Sequence, residues 1–304
     1  DNATDIGIIV GTSEGALGTC CDFQRMITEK GNASGSAFKF PNTVYNAAGG
    51  YLSICSGIKG YNVTVTNGAQ SGLASMAYAM SVLRSGQENA MLATGSDENS
   101  DIMTELFGKL GVTSENVVAP FAGNDGFVLS DGSASVLIED EKAAKERGAR
   151  IYCHASGYGM AHSSVKFGTL TGSEAGLTNA VNNALADAGM TIDDIDAVFG
   201  FANGMKAVDD VEIKGLTAVF GDKLAEKPVV ELKEVLGESR AAAATTAAAH
   251  AALMFAGKIP SQEAYSIAAD GSVSKTNVEA SKLNNVLVVA YGAGGSYTAI
   301  VLSK

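Results

Sequence analysis

The sequence predicts an α/β protein of five layers, α-β-α-β-α, built from two duplicated halves. Short runs rich in Val and Ile alternate with segments of helical length, which is typical of sheets covered by helices on both faces. Two segments, 71–83 and 241–254, each follow a strand and a glycine-containing turn and carry small or apolar residues on all sides. Because a helix without a polar face must be buried on every side, we expect these two helices to lie between two sheets.

The remaining elements follow from the same alternation. Helices are predicted between most of the strands, and those at 141–147 and 177–188 are each followed by the glycine that commonly ends a helix. The two halves are predicted to be residues 1–155 and 156–304, packed as one integrated pair. The alternative is a three-layer fold in which the two alanine-rich segments are ordinary core helices. The strand candidates, in chain order, are 6–10, 63–66, 90–94, 133–139, 151–156, 197–201, 229–232, 286–290 and 298–302.

Composition narrows the classes of function. With 21 basic and 33 acidic residues the net charge is −12, which argues against nucleic acid or an anionic membrane as a partner. The apolar stretch 241–257 is mostly alanine with polar interruptions, so it predicts a buried helix and no membrane span. No signal peptide is recognisable at the N-terminus. The cysteines have no metal-ligand spacing, which predicts no metal site and favours a cytoplasmic protein with reduced thiols: Cys20, Cys21, Cys55 and Cys153. No cofactor is expected.

The stretch NVTVTNGAQSG at 62–72 predicts a strand, a sharp turn and the start of a helix. Such a turn exposes a side chain at a helix N-terminus, where backbone N–H groups and the helix dipole favour a thiolate or an oxyanion. The bend holds Ala69 and Gln70, so no nucleophile stands there.

Several blocks of the sequence resemble β-ketoacyl synthases. NVTVTNGAQSGLASMAYAM resembles the active-site block of that family, and ALADAGMTIDDIDAVFGFANGMKAVDD resembles the segment that carries its first histidine. PVVELKEVLGESRAAAA is similar to the segment with a lysine and the second histidine, and YGAGGSYTAIVL to the closing turn and strand. The likeness runs from the first residues to the last, and it implies the thiolase fold.

The resemblance also implies which positions would carry catalysis. The family uses a cysteine to take the acyl chain and two histidines to assist decarboxylation of the malonyl thioester. The cysteine position corresponds to Ala69, the first histidine to Asn203, and the second to Glu238, five residues after the retained Lys233. All three catalytic side chains are therefore absent, and no catalytic residue is predicted.

Other side chains offer no obvious replacement. Ser71 would need a general base to act as a nucleophile. The three histidines lie outside the matched blocks: His154, His162 and His250. His250 lies on a helix that is predicted to be buried, where a core role is the usual one.

Gln70 points to two kinds of relative that have glutamine at the elbow: chain-length factors, and decarboxylating loading synthases that keep both histidines. This chain keeps neither histidine, which favours the chain-length factor. Equating Gln70 with their glutamine requires a slip of one residue.

The resemblance then implies a non-catalytic subunit of a type II ketosynthase heterodimer. A catalytic ketosynthase partner supplies Cys-His-His, and acyl carrier protein is met mainly through that partner. The strand before the elbow is predicted to pair across the dimer axis, and its residues are Asn62, Val63, Thr64, Val65 and Thr66. Candidate tunnel-lining residues are Met103, Leu106, Phe107, Leu110 and Ala293, the last in place of a gatekeeping phenylalanine. The first four could equally form the inner face of an ordinary amphipathic helix.

The family opens with a strand, a glycine turn and helices ahead of the segment that 5–18 resembles, so the first half is predicted to be shortened. The resemblance implies that this opening strand is central in its sheet, so its loss is expected to remove many ladder hydrogen bonds and leave a gap. Either a separate segment or an altered packing would fill that gap.

Two other functions stay open. The first is a malonyl-carrier decarboxylase or unusual acyltransferase that uses Gln70, Asn203 and Glu238. The second is a scaffold that binds carrier protein, which the acidic net charge disfavours because acyl carriers are themselves acidic.

Overall fold

The computed structural model describes residues 3–166 and 172–304, and the first half of the chain forms a four-stranded sheet. Its strands have the order β2-β1-β3-β4. β1 is parallel to both neighbours, and β4 runs antiparallel to β3 at the edge. The bounds are β1 (Ile6–Gly11), β2 (Asn62–Val65), β3 (Ala90–Asp97) and β4 (Gly132–Glu139).

The second half forms a seven-stranded sheet of order β5-β11-β10-β6-β7-β8-β9. Within it, β7, β6 and β10 are parallel and β11 is antiparallel to β10. The run β7-β6-β10-β11 thus repeats the order and directions of β2-β1-β3-β4, as expected of duplicated halves. The bounds are β5 (His154–His162), β6 (Ala197–Phe199), β7 (Val229–Val230), β8 (Ser261–Ile267), β9 (Val273–Glu279), β10 (Asn285–Gly292) and β11 (Ser296–Ser303).

Two buried helices, α3 and α9, lie between the sheets and pack on each other. α3 contacts β1 and β3 of the first sheet, and α9 contacts β3 and β4 as well as β10 of the second. The five-layer, thiolase-like prediction is therefore confirmed. The helices are α1 (Leu17–Lys30), α2 (Ala47–Ser56), α3 (Ser71–Arg84), α4 (Asp101–Leu110), α5 (Glu141–Glu146), α6 (Glu174–Ala188), α7 (Lys206–Phe220), α8 (Lys233–Leu236) and α9 (Ala241–Phe255).

Glycine allows the close approach of the central helices. A Cβ on Gly72 in α3 would lie 2.0 Å from the carbonyl oxygen of Ala241, and one on Gly95 in β3 would lie 2.4 Å from the same oxygen. The first turn of α9 is thereby held directly against α3 and β3.

The strand predictions fail in two places. The strand predicted at 151–156 lies at His154–His162, where Gly157 and Gly159 obscure the strand pattern. These glycines let α6 pack closely, since a Cβ on Gly159 would lie 2.1 Å from the carbonyl oxygen of Ala180. The hairpin β8–β9 is not predicted, because its strands are polar and largely exposed on one face.

The prediction of a gap in the first sheet is wrong. β1 is hydrogen-bonded on both sides, to β2 and to β3, so the sheet is continuous. In the second half the strand that precedes the repeated four, β5, lies at an edge beside β11. Because the two halves repeat the same strand order, a strand equivalent to β5 in the first half would lie beside β4. It would extend that edge of the sheet and leave the interior pairings unchanged.

None of the described helices is both long and apolar enough to cross a membrane. Within residues 3–166 and 172–304, no group of three or more His, Cys, Asp or Glu side chains is arranged to hold a metal ion. The four cysteines are all free thiols, and burial raises the pKa of Cys153 to about 11.

Candidate active-site cavity

A sharp turn joins β2 to α3 at one end of the candidate site. Gly68 takes a left-handed conformation with φ 70°, which a residue with a side chain rarely adopts. The hydroxyl of Ser71 donates to the carbonyl oxygen of Gly68 at 2.6 Å and accepts from the N–H of Asn67 at 2.7 Å. Ser71 is fully buried in these contacts, so its hydroxyl closes the turn and is not a free nucleophile.

The two residues at the bend face different parts of the molecule. Ala69 lines a cavity, whereas Gln70 is fully buried and does not belong to that lining. The Gln70 Oε1 accepts from the hydroxyl of Thr298 in β11 at 2.5 Å, and its Nε2 donates to the carbonyl oxygen of Asn67 at 3.4 Å. The side chain at the elbow position is therefore the methyl group of Ala69.

The cavity encloses about 180 Å³ between the elbow, α4 and the second sheet. Aromatic side chains form much of its wall, and charged side chains enter it at the start of α9 and after β1. Its lining is Ser13, Glu14, Gly68, Ala69, Phe107, Phe127, Phe201, Asn203, Met205, Val208, Glu238, Arg240, Tyr291, Gly292 and Ala293.

Asn203, Lys233 and Glu238 form a buried hydrogen-bonded network. The Glu238 Oε2 accepts from Asn203 Nδ2 at 2.9 Å and from Lys233 Nζ at 2.8 Å. The Lys233 ammonium also donates to the carbonyl oxygen of Phe201 at 3.0 Å, and its Nζ lies 3.1 Å from the centre of the Phe201 ring. These groups satisfy one another, so the two positions predicted from the sequence to correspond to the family's histidines hold a hydrogen-bonded network without an imidazole.

A second ionic cluster, not predicted from the sequence, connects the two halves at the start of α9. Arg240 Nε lies 2.8 Å from Glu14 Oε2 and 4.0 Å from Asp97 Oδ2. Arg240 Nη2 donates to the carbonyl oxygen of Glu98, and its backbone N–H donates to Glu238 Oε1, each at 2.8 Å. These contacts hold Arg240 at φ 53°, an unusual value for a residue with a side chain.

Burial dominates the electrostatics beside these clusters. It raises the pKa of Glu14 to about 7, although the neighbouring Arg240 lowers it. Asp209 accepts from the N–H groups of Asn203 and Gly204 and so fixes the loop that carries Asn203. Burial raises the pKa of Asp209 to about 6. Glu231 is raised well above its ordinary pKa by burial and then by the adjacent carboxylate of Glu212.

The histidines lie outside the cavity lining. His154 and His162 are exposed at the two ends of β5. His250 is half-buried on α9 with its ring centroid 6.0 Å from that of Phe199, and burial lowers its pKa. The part of the chain that the structure describes thus brings neither thiol nor imidazole to the elbow.

Only part of the predicted tunnel set meets at the cavity. Phe107 and Ala293 line it, and the Phe107 ring packs edge-on against Phe127 with centroids 5.5 Å apart. Met103 is buried beneath α4, while Leu106 and Leu110 are 48% and 54% exposed and do not line the cavity. These last two are available on the surface of α4.

The predicted interface strand lies at an edge of the first sheet. β2 pairs with β1 alone, so its other edge is unpaired within the described part of the chain. Of the predicted set, Asn62 to Val65 form the strand, and Thr66 lies beyond its end. Large apolar side chains are exposed in the segment that precedes β2: Phe38, Phe40, Tyr45, Tyr51 and Ile54.

The fold, the elbow and the positions around it define a ketosynthase-like protein. Residues 1–144 match the family model for the N-terminal domain of beta-ketoacyl synthase, and 152–265 match that for its C-terminal domain. The chain belongs to the β-ketoacyl synthase family.

Curated relatives carry names from the same family. The chain is 30% identical over 230 residues to 3-oxoacyl-(acyl-carrier-protein) synthase 2 of Vibrio cholerae, which covers 73% of this chain and 56% of that protein. It is 25% identical to the enzyme of the same name from Rhizobium meliloti, over 98% of this chain and 74% of that one. The chain thus spans little more than half the length of the Vibrio cholerae synthase.

Solved structures share the fold. One described as the ishigamide ketosynthase/chain length factor superposes with a TM-score of 0.87 at 23% identity, over 99% of this chain and 75% of that chain. A beta-ketoacyl synthase from Burkholderia phymatum superposes with a TM-score of 0.86 at 20% identity, over 100% of this chain and 76% of that chain.

Proposed function

We propose that this chain is a non-catalytic, chain-length-factor-like subunit that pairs with a catalytic β-ketoacyl synthase and shapes the tunnel for the growing acyl chain. One observation carries the proposal. The family's cysteine and two histidines correspond to Ala69, Asn203 and Glu238, and the last two are committed to buried hydrogen bonds. The elbow and both central helices are nevertheless retained.

The unpaired edge of β2 supports pairing with a partner subunit. An open strand edge presents free N–H and C=O groups, which a second strand can satisfy across a dimer axis. The exposed aromatic residues before β2, among them Phe40 and Tyr51, would become buried in such a contact. A solved relative is itself described as a ketosynthase/chain length factor.

Tunnel shaping is assigned to α4 and to the closing turn. Leu106 and Leu110 are exposed on α4, where a partner's tunnel can reach them, and Phe107 separates that surface from the cavity. Met103 supports the helix from beneath, and Ala293 stands exposed at the turn after β10. Acyl carrier protein is then received by the catalytic partner.

The geometry gives less support to the two alternatives. A decarboxylase that uses Gln70 needs that amide beside the reacting group, yet its hydrogen bonds hold it against Thr298. A scaffold for carrier protein would have to attract an acidic partner to a chain of net charge −12.

The test is co-expression with a catalytic ketosynthase encoded beside this protein. We expect native mass spectrometry to find a heterodimer, and an elongation assay to give products whose length changes when Phe107→Ala is introduced. Gly108→Ala is the matched control, because a Cβ at Gly108 would meet no atom of the described residues outside its own helix within 4 Å. A monomeric chain that leaves product length unchanged would rule out the proposal.

A further inference from the structure

The cavity beside the elbow combines an apolar wall with a buried ion pair. Phe107, Phe127, Phe201 and Tyr291 supply aromatic surface that would suit an alkyl chain. Into the same space project Glu14 and Arg240, whose side chains are only 19% and 4% exposed. The aromatic side of this lining therefore favours an apolar ligand, and the charged side favours a polar one.

The polar side of the lining is incompletely satisfied within the protein. Arg240 Nη1 and the hydroxyl of Ser13 are buried and have no hydrogen-bond partner among the residues that the structure describes, although both residues line the cavity. An alkyl chain offers no acceptor to buried donors of this kind, so it would leave them unpaired. Entry of an acyl chain would thus place alkyl groups against a charge that is already largely desolvated.

The pair is also held rigidly in place. Arg240 is fixed by Glu238, Glu98 and Asp97, and Asp97 in turn accepts from the N–H of Ala241 at 2.9 Å. Because these contacts connect the end of β3 to the start of α9, Arg240 cannot swing aside without breaking buried hydrogen bonds. The charge therefore acts as a fixed barrier to an alkyl chain.

We infer that the Glu14–Arg240 pair excludes acyl chains from this chain's own cavity, so that an acyl chain in the assembled complex lies wholly in the partner's tunnel. This inference rests on the proposed function for its biological meaning, since exclusion serves a subunit that leaves the chemistry to its partner. The Glu14–Arg240 pair acts by excluding the acyl chain and takes no part in the reaction that the partner carries out.

The experiment measures binding of octanoyl-pantetheine to the isolated chain by titration calorimetry. Wild type is expected to show no saturable binding. The double variant Glu14→Leu/Arg240→Leu converts the lining to an apolar one and is expected to bind, with affinity rising about ten-fold for every two methylenes buried. The control variant Asp193→Leu/Lys223→Leu removes an exposed ion pair and is expected to behave as wild type. A folded double variant that binds no probe would overturn the inference.

A second measurement applies to wild type, so it does not depend on whether the double variant folds. An acyl-pantetheine that carries a diazirine at the end of its chain is photolysed with the protein, and the labelled peptides are mapped. Labels are expected on exposed surface such as Leu106 and Leu110, and labels on Phe201 or Tyr291 would overturn the inference. Because no partner is present, this outcome is independent of heterodimer formation. A chain that excludes the probe but forms no heterodimer would contradict the proposed function alone.

Discussion

The two central helices begin at the same cavity in opposite ways. α3 begins after a small, neutral turn in which the Ser71 hydroxyl closes the bend and Ala69 faces the cavity. α9 begins after Arg240, which is held at φ 53° among Glu14, Asp97 and Glu238. At the start of α3 only a methyl group faces the cavity, whereas at the start of α9 charged side chains contact one another. The same cavity is therefore neutral at one helix start and ionic at the other.

The largest expected effect is at the α9 start. Arg240→Ala removes the cation that faces Glu14 and Asp97 and leaves buried carboxylates unpaired, so we expect the free energy of unfolding to fall by about 3–5 kcal/mol. Urea unfolding followed by circular dichroism measures it. Arg25→Ala is the matched control, because the Arg25–Asp22 pair is 63% and 61% exposed, and it should lose about 1 kcal/mol or less. Equal losses would show that the α9 cluster does not hold the two halves together.

The next effect concerns the contact between the two helices. Gly72→Ala places a Cβ 2.0 Å from the carbonyl oxygen of Ala241, and backbone must move to relieve the clash. We expect a loss of about 1–3 kcal/mol in thermal or urea unfolding. In α4, the added Cβ of Gly108→Ala would lie more than 4 Å from the described residues outside this helix, so this variant should instead gain up to about 1 kcal/mol from helix propensity. The prediction is wrong if both variants shift stability in the same direction.

A third test uses pH on the buried carboxylates near the cavity. The folded-state pKa of Glu231 lies well above its ordinary value of 4.5, and that of Asp209 is raised from 3.8 to about 6. A raised folded pKa gives a stability contribution that is complete below the unfolded pKa and is lost as pH rises through the folded one. The free energy of unfolding should therefore decline as the pH rises above 3.8 because of Asp209 and above 4.5 because of Glu231, by at most about 1.4 kcal/mol per pH unit for each group.

Glu231→Gln keeps the neutral form at every pH, so its stability should depend less on pH above 4.5. The difference in free energy of unfolding between this variant and wild type should grow in favour of the variant as the pH increases. Parallel urea titrations at several pH values measure it. Identical slopes for the two proteins would exclude Glu231 as a source of the decline.

The smallest expected effect on stability is at the α3 start. Ala69→Cys restores a thiol at the elbow with about 1 kcal/mol or less of change in unfolding, because the side chain projects into a cavity. The thiol should react with iodoacetamide but should not take an acyl group from acyl carrier protein, since the described lining of this cavity contains no imidazole. Mass spectrometry after incubation with acyl carrier protein distinguishes these results, and rapid acylation would contradict the prediction.

Much of the fold could be predicted from residue patterns, because strong periodicity marks buried elements. The central helices α3 and α9 were predictable because each is apolar on all sides, and most strands carry Val-rich or Ile-rich runs. β5 was misplaced because Gly157 and Gly159 weaken the strand pattern while permitting close contact with α6. The exposed hairpin β8–β9 gives no comparable signal.

The site was only partly predictable. Family motifs locate Ala69, Asn203, Lys233 and Glu238. The Glu14–Asp97–Arg240 cluster joins residues far apart in the chain, so no local pattern reveals it. The orientation of Gln70 toward Thr298 depends likewise on a tertiary contact between the two halves.

The most direct test of the central claim is whether the isolated chain releases carbon dioxide from malonyl acyl carrier protein. A subunit whose Asn203 and Glu238 are committed to a structural network should release none above the protein-free rate, and Gln70→Ala should be indistinguishable from wild type. Turnover by wild type that Gln70→Ala or Asn203→Ala abolishes would contradict the account and identify the chain as a decarboxylase.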